Sequence, residues 1–132
     1  MKICVTATTN SLDAQIDPRF GRCSYLMIVD SETMQFEAIP NMAAGATGGA
    51  GIQAAQTIAK KDVKLLITGN VGPNAFGALS AAGIEVVTGA FGTVKDAVEK
   101  FKRGEFTKTS AATVDSHFGM GGKGGGKGAW RS

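Results

Sequence analysis

Short apolar runs alternating with glycine-bearing polar loops set the rhythm of this chain. Ile3 to Thr8 is β-branched and mostly apolar, which predicts a central strand. The next fifteen residues are largely polar and contain Asp17-Pro18 and Gly21, so they read as a long structured loop. Tyr25 to Val29 predicts a second strand, with Asp30, Ser31, Glu32 and Thr33 as a tight turn. Met34 to Ile39 then alternates, with Met34, Phe36 and Ala38 on one face, and the pair reads as an antiparallel hairpin closed by Pro40 and Asn41.

Beyond Asn41 the period changes. Ile52, Ala55, Ala59 and Ile58 fall on one side of a helix over Ile52 to Ala59. Its alanines suit close helix–sheet contact, and Lys60, Lys61 and Asp62 mark the exit. Val63 to Thr68 predicts a buried strand. Pro73 suits a first helical turn, where its missing N–H is no loss, and Phe76, Leu79 and Ala82 form an apolar stripe closed by Gly83. Ile84 to Thr88 predicts a fifth strand near a sheet edge. Thr93, with Asp96 three residues on, predicts a capped helix over Val94 to Lys102 that buries Val94, Ala97, Val98 and Phe101 and stops at Gly104. The order β, β, β, α, β, α, β, α implies parallel strands late in the chain and an antiparallel strand from the early hairpin. The expected fold is a three-layer mixed α/β domain over residues 1–106, followed by a flexible, Gly-rich, basic tail over 107–132.

Composition sharpens this picture at two points. Glycine is 19 of 132 residues, about twice the usual share, and much of the excess lies in three loops and the tail. The formal charge of +3 is unevenly placed: residues 1–100 carry eight Lys/Arg against nine Asp/Glu, and residues 101–132 carry six against two. The basic character belongs to the C-terminal segment, so no nucleic-acid face is expected on the domain. Cys4 and Cys23 form neither a CxxC nor a disulfide framework, and Cys4 reads as a buried small hydrophobe. Lys2 leads straight into a strand pattern and no apolar stretch approaches ~18 residues. The expectations are no signal peptide, no membrane partner and a cytoplasmic location.

Three loops carry the candidate chemistry: Asp17 to Cys23 (DPRFGRC), Gly45 to Gly51 (GATGGAG) and Gly69 to Phe76 (GNVGPNAF). Glycine lets backbone amides approach a guest, and a following helix presents unpaired N–H groups to an anion. In the first loop Arg19 and Arg22 could clamp a polyanion, and Cys23 could ligate a soft metal as a thiolate favoured by those arginines. The same loop has a structural reading, with Arg19 paired to Asp17, Phe20 plugging the core edge and Cys23 buried at a strand start. The second loop lacks the GK[ST] of a P-loop and the GxGxxG of a dinucleotide site, yet its amides could hold an oxyanion or a sulfide-bearing cluster, or simply pack a helix start against the sheet. Gln53 and Gln56 could add amides there or face water. In the third loop Asn70 and Asn74 could bind a ligand or pin the turn. That loop, like Gly89 to Gly92, follows a strand and falls at the carboxyl end of the sheet, where open α/β folds usually bind ligands.

His117 is the only histidine and lies in the tail, with Lys123, Lys127 and Arg131 beyond it. No paired His/Cys spacing marks a zinc site, and the first strand carries no carboxylate for two-metal nuclease chemistry. Donors without a catalytic acid–base pair point to binding rather than to an enzyme.

Taken together, DPRFGRC, GGAGIQAAQ, ITGNVGPNAF, AAGIEVV and GAFGTVKDAVEKFKRGE resemble the dinitrogenase iron-molybdenum cofactor biosynthesis family, from about Lys2 to Phe106. The resemblance implies a ribonuclease-H-like fold with a five-stranded mixed sheet flanked by helices. It implies binding or carriage of iron–sulfur and molybdenum-containing cluster precursors; one relative holds a molybdenum–copper sulfide cluster. By motif, the pocket would use Arg19, Phe20, Gly21 and Arg22, then Gly48, Gly49, Ala50 and Gly51, then Asn70, Gly72 and Asn74. Members that carry a cofactor are thought to use a histidine or cysteine ligand, which leaves Cys23 and His117 as the metal candidates here. The expected function is a non-catalytic carrier of an anionic metal–sulfur cluster, with cluster donor and acceptor proteins as partners. The alternative is a regulatory or scaffold module that binds protein without metal.

Overall fold

Strand alternation divides the apolar residues between two faces of one sheet, and a computed structural model shows what covers each face. It describes residues 1–46 and 48–113. The elements are β1 (Lys2–Ala7), β2 (Tyr25–Asp30), β3 (Phe36–Pro40), α1 (Ala50–Ala59), β4 (Leu65–Ile67), α2 (Pro73–Ala81), β5 (Glu85–Val87) and α3 (Val94–Lys102). The expected element order is the observed one.

The sheet runs β3-β2-β1-β4-β5. β2 is antiparallel to both neighbours, with Cys4 opposite Ile28 and Met27 opposite Ala38. β1, β4 and β5 are parallel, pairing Cys4 with Leu66 and Leu66 with Val86. Because β3 runs antiparallel to β2, its C-terminus shares one end of the sheet with the C-termini of β1, β4 and β5. Four connections therefore gather there: residues 8–24, 41–49, 68–72 and 88–93.

One face sends Cys4, Leu26, Ile28, Leu66 and Val86 against Ala54, Ala55 and Ile58 of α1 and Ala75 and Leu79 of α2. The other sends Ile3, Val5, Met27, Val29, Leu65, Ile67 and Val87 against Val94, Ala97 and Val98 of α3, with Ala14 and Ile16 of the first loop. The result is three layers, α1 and α2, sheet, then α3. Burying each such aliphatic side chain is worth roughly 1.5–3 kcal/mol, so these two faces carry most of the fold's driving force.

Several boundaries differ from the sequence expectation for local reasons. Met34 is not in the strand: it has φ 64, with its N–H bonded to Asp30 O at 2.8 Å, and so completes the turn instead. The Asp30 carboxylate closes that turn by accepting from Glu32 N at 2.9 Å. α1 starts at Ala50, and Ala54 takes the buried place expected for Ile52, which is half-buried with Ala59. On α2 the buried residues are Ala75 and Leu79; Phe76 is half-buried and Ala82 is exposed, because the helix packs α1 through its small face. α3 carries the expected capping box, Asp96 N to Thr93 Oγ1 at 3.0 Å and Thr93 N to Asp96 Oδ2 at 3.3 Å.

Past Phe106 the chain continues along β5. Thr109 N donates to Val86 O at 2.6 Å, and Thr109 Oγ1 accepts from Thr88 N at 3.1 Å. Thr113 then reaches the third loop, where its N–H donates to Val71 O at 2.9 Å and its Oγ1 accepts from Val71 N at 3.0 Å.

Candidate functional site

The three glycine-bearing loops meet at the carboxyl end of the sheet, held by close backbone contact and by the side chains of Arg22 and Asn41. Asn70 N donates to Pro18 O at 2.8 Å, and Arg19 bridges Asn70 in parallel. A Cβ on Gly69 would lie 2.6 Å from Pro18 Cα, and one on Gly21 would lie 2.7 Å from Gly51 N. A Cβ on Gly51 would in turn lie 2.7 Å from Ala75 Cβ, so the first turns of α1 and α2 touch. Glycine at these positions admits neighbouring backbone. The fourth connection joins through Gly89 N to Gly69 O at 2.8 Å and Ile16 N to Gly92 O at 2.9 Å.

A buried polar chain fixes the first loop. Thr6 Oγ1 donates to Asp17 O at 2.6 Å, so the 2.8 Å contact with Thr68 Oγ1 is donated by Thr68. The buried Asp17 carboxylate accepts from Arg19 N at 3.0 Å and Arg19 Nε at 3.4 Å. The Arg19 side chain is 46% exposed against 5% for Asp17. Asp17 thus grips one edge of the guanidinium, and the two terminal nitrogens have no partner among the described residues.

Arg22 acts differently from the clamp expected of it. Its Nη1 donates to Ala44 O at 3.0 Å and Ala46 O at 2.6 Å, tying the second loop to the first. Asn41, read from sequence only as the end of the hairpin, does the same from the other side. Its Nδ2 donates to Gly21 O and Cys23 O, each at 3.0 Å, and its Oδ1 accepts from Ala43 N at 3.2 Å. An Asn placed directly after a strand was the available signal.

Cys23 faces the core, not the rim. It is fully buried among the residues under α1 and α2, as is Cys4, and Phe20 fills the same core edge. Its Sγ donates to Phe20 O at 3.2 Å. Burial, then the Asp17 charge, pushes the thiol up to about 12; the lowering from Asn41 and Arg19 is smaller. Burial and the nearby Cys23 push Cys4 well up too. The expectation of a thiolate favoured by arginines fails because desolvation and the Asp17 charge outweigh the lowering from Arg19. Among the described residues, no group of three or more His, Cys, Asp and Glu side chains is placed to hold a metal ion. His117 lies outside the described residues.

The donors left at this end are the helix starts. α1 and α2 begin at Gly49 (φ 73) and Gly72, neither has a side-chain cap, and neither has an acidic residue in its first turn. Both therefore keep first-turn N–H groups and the positive end of a helix dipole. At α3 the equivalent groups are occupied: Val94 N donates to Ala14 O, Lys95 N to Leu12 O and Asp96 N to Thr93. Gly48 and Gly49 are exposed, and Cβ atoms there would meet nothing within 4 Å. Ala50 is buried; Asn70 is half-buried, and Asn74 is exposed, as are Gln53 and Gln56. No side-chain hydrogen bond from another described residue holds the Asn70 or Asn74 carboxamide. The structure thus brings Arg19, the Gly48–Gly51 segment, Asn70, Gly72 and Asn74 to one rim, and turns Phe20 and Cys23 inward.

The family model for the dinitrogenase iron-molybdenum cofactor matches residues 1–104. An uncharacterized protein of Methanocaldococcus jannaschii is 32% identical over 111 residues, spanning 82% of this chain and 91% of the relative. Among solved structures, the apo form of the orange protein from Desulfovibrio gigas superposes with a TM-score of 0.82 at 43% identity, covering 84% of this chain and 94% of that one. A putative NifB protein from Thermotoga superposes at 0.71 with 34% identity, covering 81% and 91%.

Proposed function

This chain belongs to the dinitrogenase iron-molybdenum cofactor family, and we propose that it binds an anionic metal–sulfur cluster or its precursor, of iron–sulfur or molybdenum type, and delivers it as a non-catalytic carrier. The observation that carries this reading is the meeting of two uncapped helix N-termini at the contact of Gly51 with Ala75, at the end of the sheet where Arg19 bridges Asn70. Amides and a guanidinium held in place by other contacts bind an anion with little reorganisation. Sulfide ligands already satisfy the metals of such a cargo, so the rim need only match charge and shape, and the cargo can leave again. The buried, protonated Cys23 thiol takes no part.

The strand order β3-β2-β1-β4-β5, with β2 antiparallel, supports a ribonuclease-H-like topology. We read the partners as cluster donor and acceptor proteins and the setting as cytoplasmic; no helix among the described residues is long and apolar enough to cross a membrane.

Anaerobic reconstitution tests the reading. The chain is incubated with tetrathiomolybdate or a synthetic iron–sulfur cluster, desalted, and assayed for its visible spectrum and metal content. Uptake that falls in an Arg19→Ala variant is expected; uptake equal in the two proteins ends the cluster reading. A scaffold role is the second reading, favoured by Met42 and Phe91, which are 89% and 75% exposed on loops at this same end. A colourless, metal-free protein that co-purifies with one partner would support it.

A further inference from the structure

β3 lies at a sheet edge but carries apolar side chains on both faces, the pattern of an interior strand. Edge strands are usually protected by charge, a bulge or a covering segment. Across Phe36–Pro40 the register with β2 runs without a bulge, and no isolated bridge joins this strand to another described residue. Ala38 packs on the core beside α3 and Ile39 on the core beneath α1 and α2, and each is only half-buried. Phe36 is 44% exposed. Both faces thus stop short of full cover at this edge.

The two backbone edges of β3 can be told apart. Asp30 N donates to Gln35 O at 2.9 Å and Asn41 N to Ser24 O at 3.0 Å, so the bonded pairs with β2 fall at odd-numbered residues of β3. Phe36, Ala38 and Pro40 therefore direct their backbone groups away from the sheet. Pro40 has no N–H, so this edge offers donors at Phe36 and Ala38 and acceptors at all three positions. An antiparallel copy satisfies both donors when Ala38 stands opposite itself. Ala38 N then meets Ala38 O, and Phe36 N meets Pro40 O of the partner subunit. The missing proton of Pro40 costs nothing in that register except a free carbonyl on Phe36 at the end of the ladder. A shift that sets Glu37 opposite itself also pairs the donors, but it faces like charges across a close, non-bonded pair.

We propose that β3 pairs with β3 of a second copy, antiparallel and centred on Ala38, so that two five-stranded sheets become one. Glu37 then stands beside Ile39 of the partner subunit, and the exposed Phe36 ring packs on Pro40 of the partner subunit at each end. The paired strands run in opposite directions, so the two rims lie at opposite ends of the joined sheet. The pairing is independent of the cargo. One short strand pair is smaller than a standard interface, so the dimer dissociates on dilution.

Sedimentation velocity of the full chain from about 5 µM to about 1 mM is expected to show a reversible monomer–dimer equilibrium. Amide exchange is expected to slow with concentration at Phe36 and Ala38, and to change little at Glu37 and Ile39, which bond to β2. Ala38→Pro deletes an outward donor that β2 does not use, at a place where an edge strand tolerates proline. Phe36→Lys keeps every backbone group and puts a charge at the contact. Each is expected to weaken the dimer about tenfold or more while keeping the circular dichroism of the dilute parent. A dimer of parental strength in Phe36→Lys and Ala38→Pro, or one whose slowed amides lie elsewhere, overturns the pairing. A parent that stays monomeric throughout, with Phe36 and Ala38 exchanging freely, also overturns it and leaves the edge to a strand of another protein.

Discussion

Gly69 and Pro18 touch backbone to backbone: a Cβ on Gly69 would lie 2.6 Å from Pro18 Cα and 3.0 Å from its carbonyl oxygen. The clash would fall on backbone rather than on the end of a flexible side chain, so it cannot be relieved by a rotamer change. Gly69→Ala is expected to cost about 1–3 kcal/mol in urea denaturation. Gly48→Ala, whose Cβ meets nothing within 4 Å, should stay within about 0.5 kcal/mol of the parent. Equal losses at the two positions would contradict the loop contact.

Arg19 should matter for binding and little for stability. Its side chain is about half exposed and its ion pair to Asp17 is a long 3.4 Å contact. Arg19→Gln removes a charged donor and leaves the buried Asp17 carboxylate bonded to the backbone N–H of residue 19. Tetrathiomolybdate affinity is expected to fall about tenfold or more, with the melting temperature unchanged. Titration followed by visible absorption, beside a thermal scan, separates the two effects.

Arg22 should show the opposite balance. Arg22→Gln withdraws the donor from Ala44 O and Ala46 O, and a loss of about 1–3 kcal/mol is expected. Amide exchange should speed up at Ala44 and Ala46, whose N–H groups bond within the same turn to Asn41 and Ala43. Unchanged exchange there would show that the guanidinium does not hold the second loop.

The buried thiols make stability depend on alkaline pH. An unfolded thiol releases its proton near pH 9, whereas Cys23 in the fold holds it to about 12. Between those values the folded chain binds more protons, so stability falls as pH rises, by up to about 1.4 kcal/mol per pH unit for this group. Below pH 9 its contribution is constant. Denaturation midpoints from pH 8 to 11 should therefore fall less steeply for Cys23→Ala than for the parent. Native Cys23 should also resist iodoacetamide at neutral pH.

Much of the fold was legible because hydrophobic period is a local property. The capping box at Thr93 and Asp96, the Pro73 helix start and the edge position of β5 could be read from a few adjacent residues. Met34 was misread because alternation alone cannot register a positive φ. Ile52 and Ala82 were misplaced because an alanine-rich helix has no strong stripe, and the facing helix chooses which small residues to cover.

The sequence by itself determined the elements, their order and the end of the sheet at which the loops gather, since strand direction follows from connection length and pattern. Tertiary structure decided what the loop residues do. Gly21 and Gly69 yield space to Gly51 and Pro18, and Arg22 holds carbonyls of a distant loop. Cys23 keeps its proton because the helices above it exclude water. Each of these depends on which remote segment arrives within a few ångströms, and no local spacing of residue types encodes that distance.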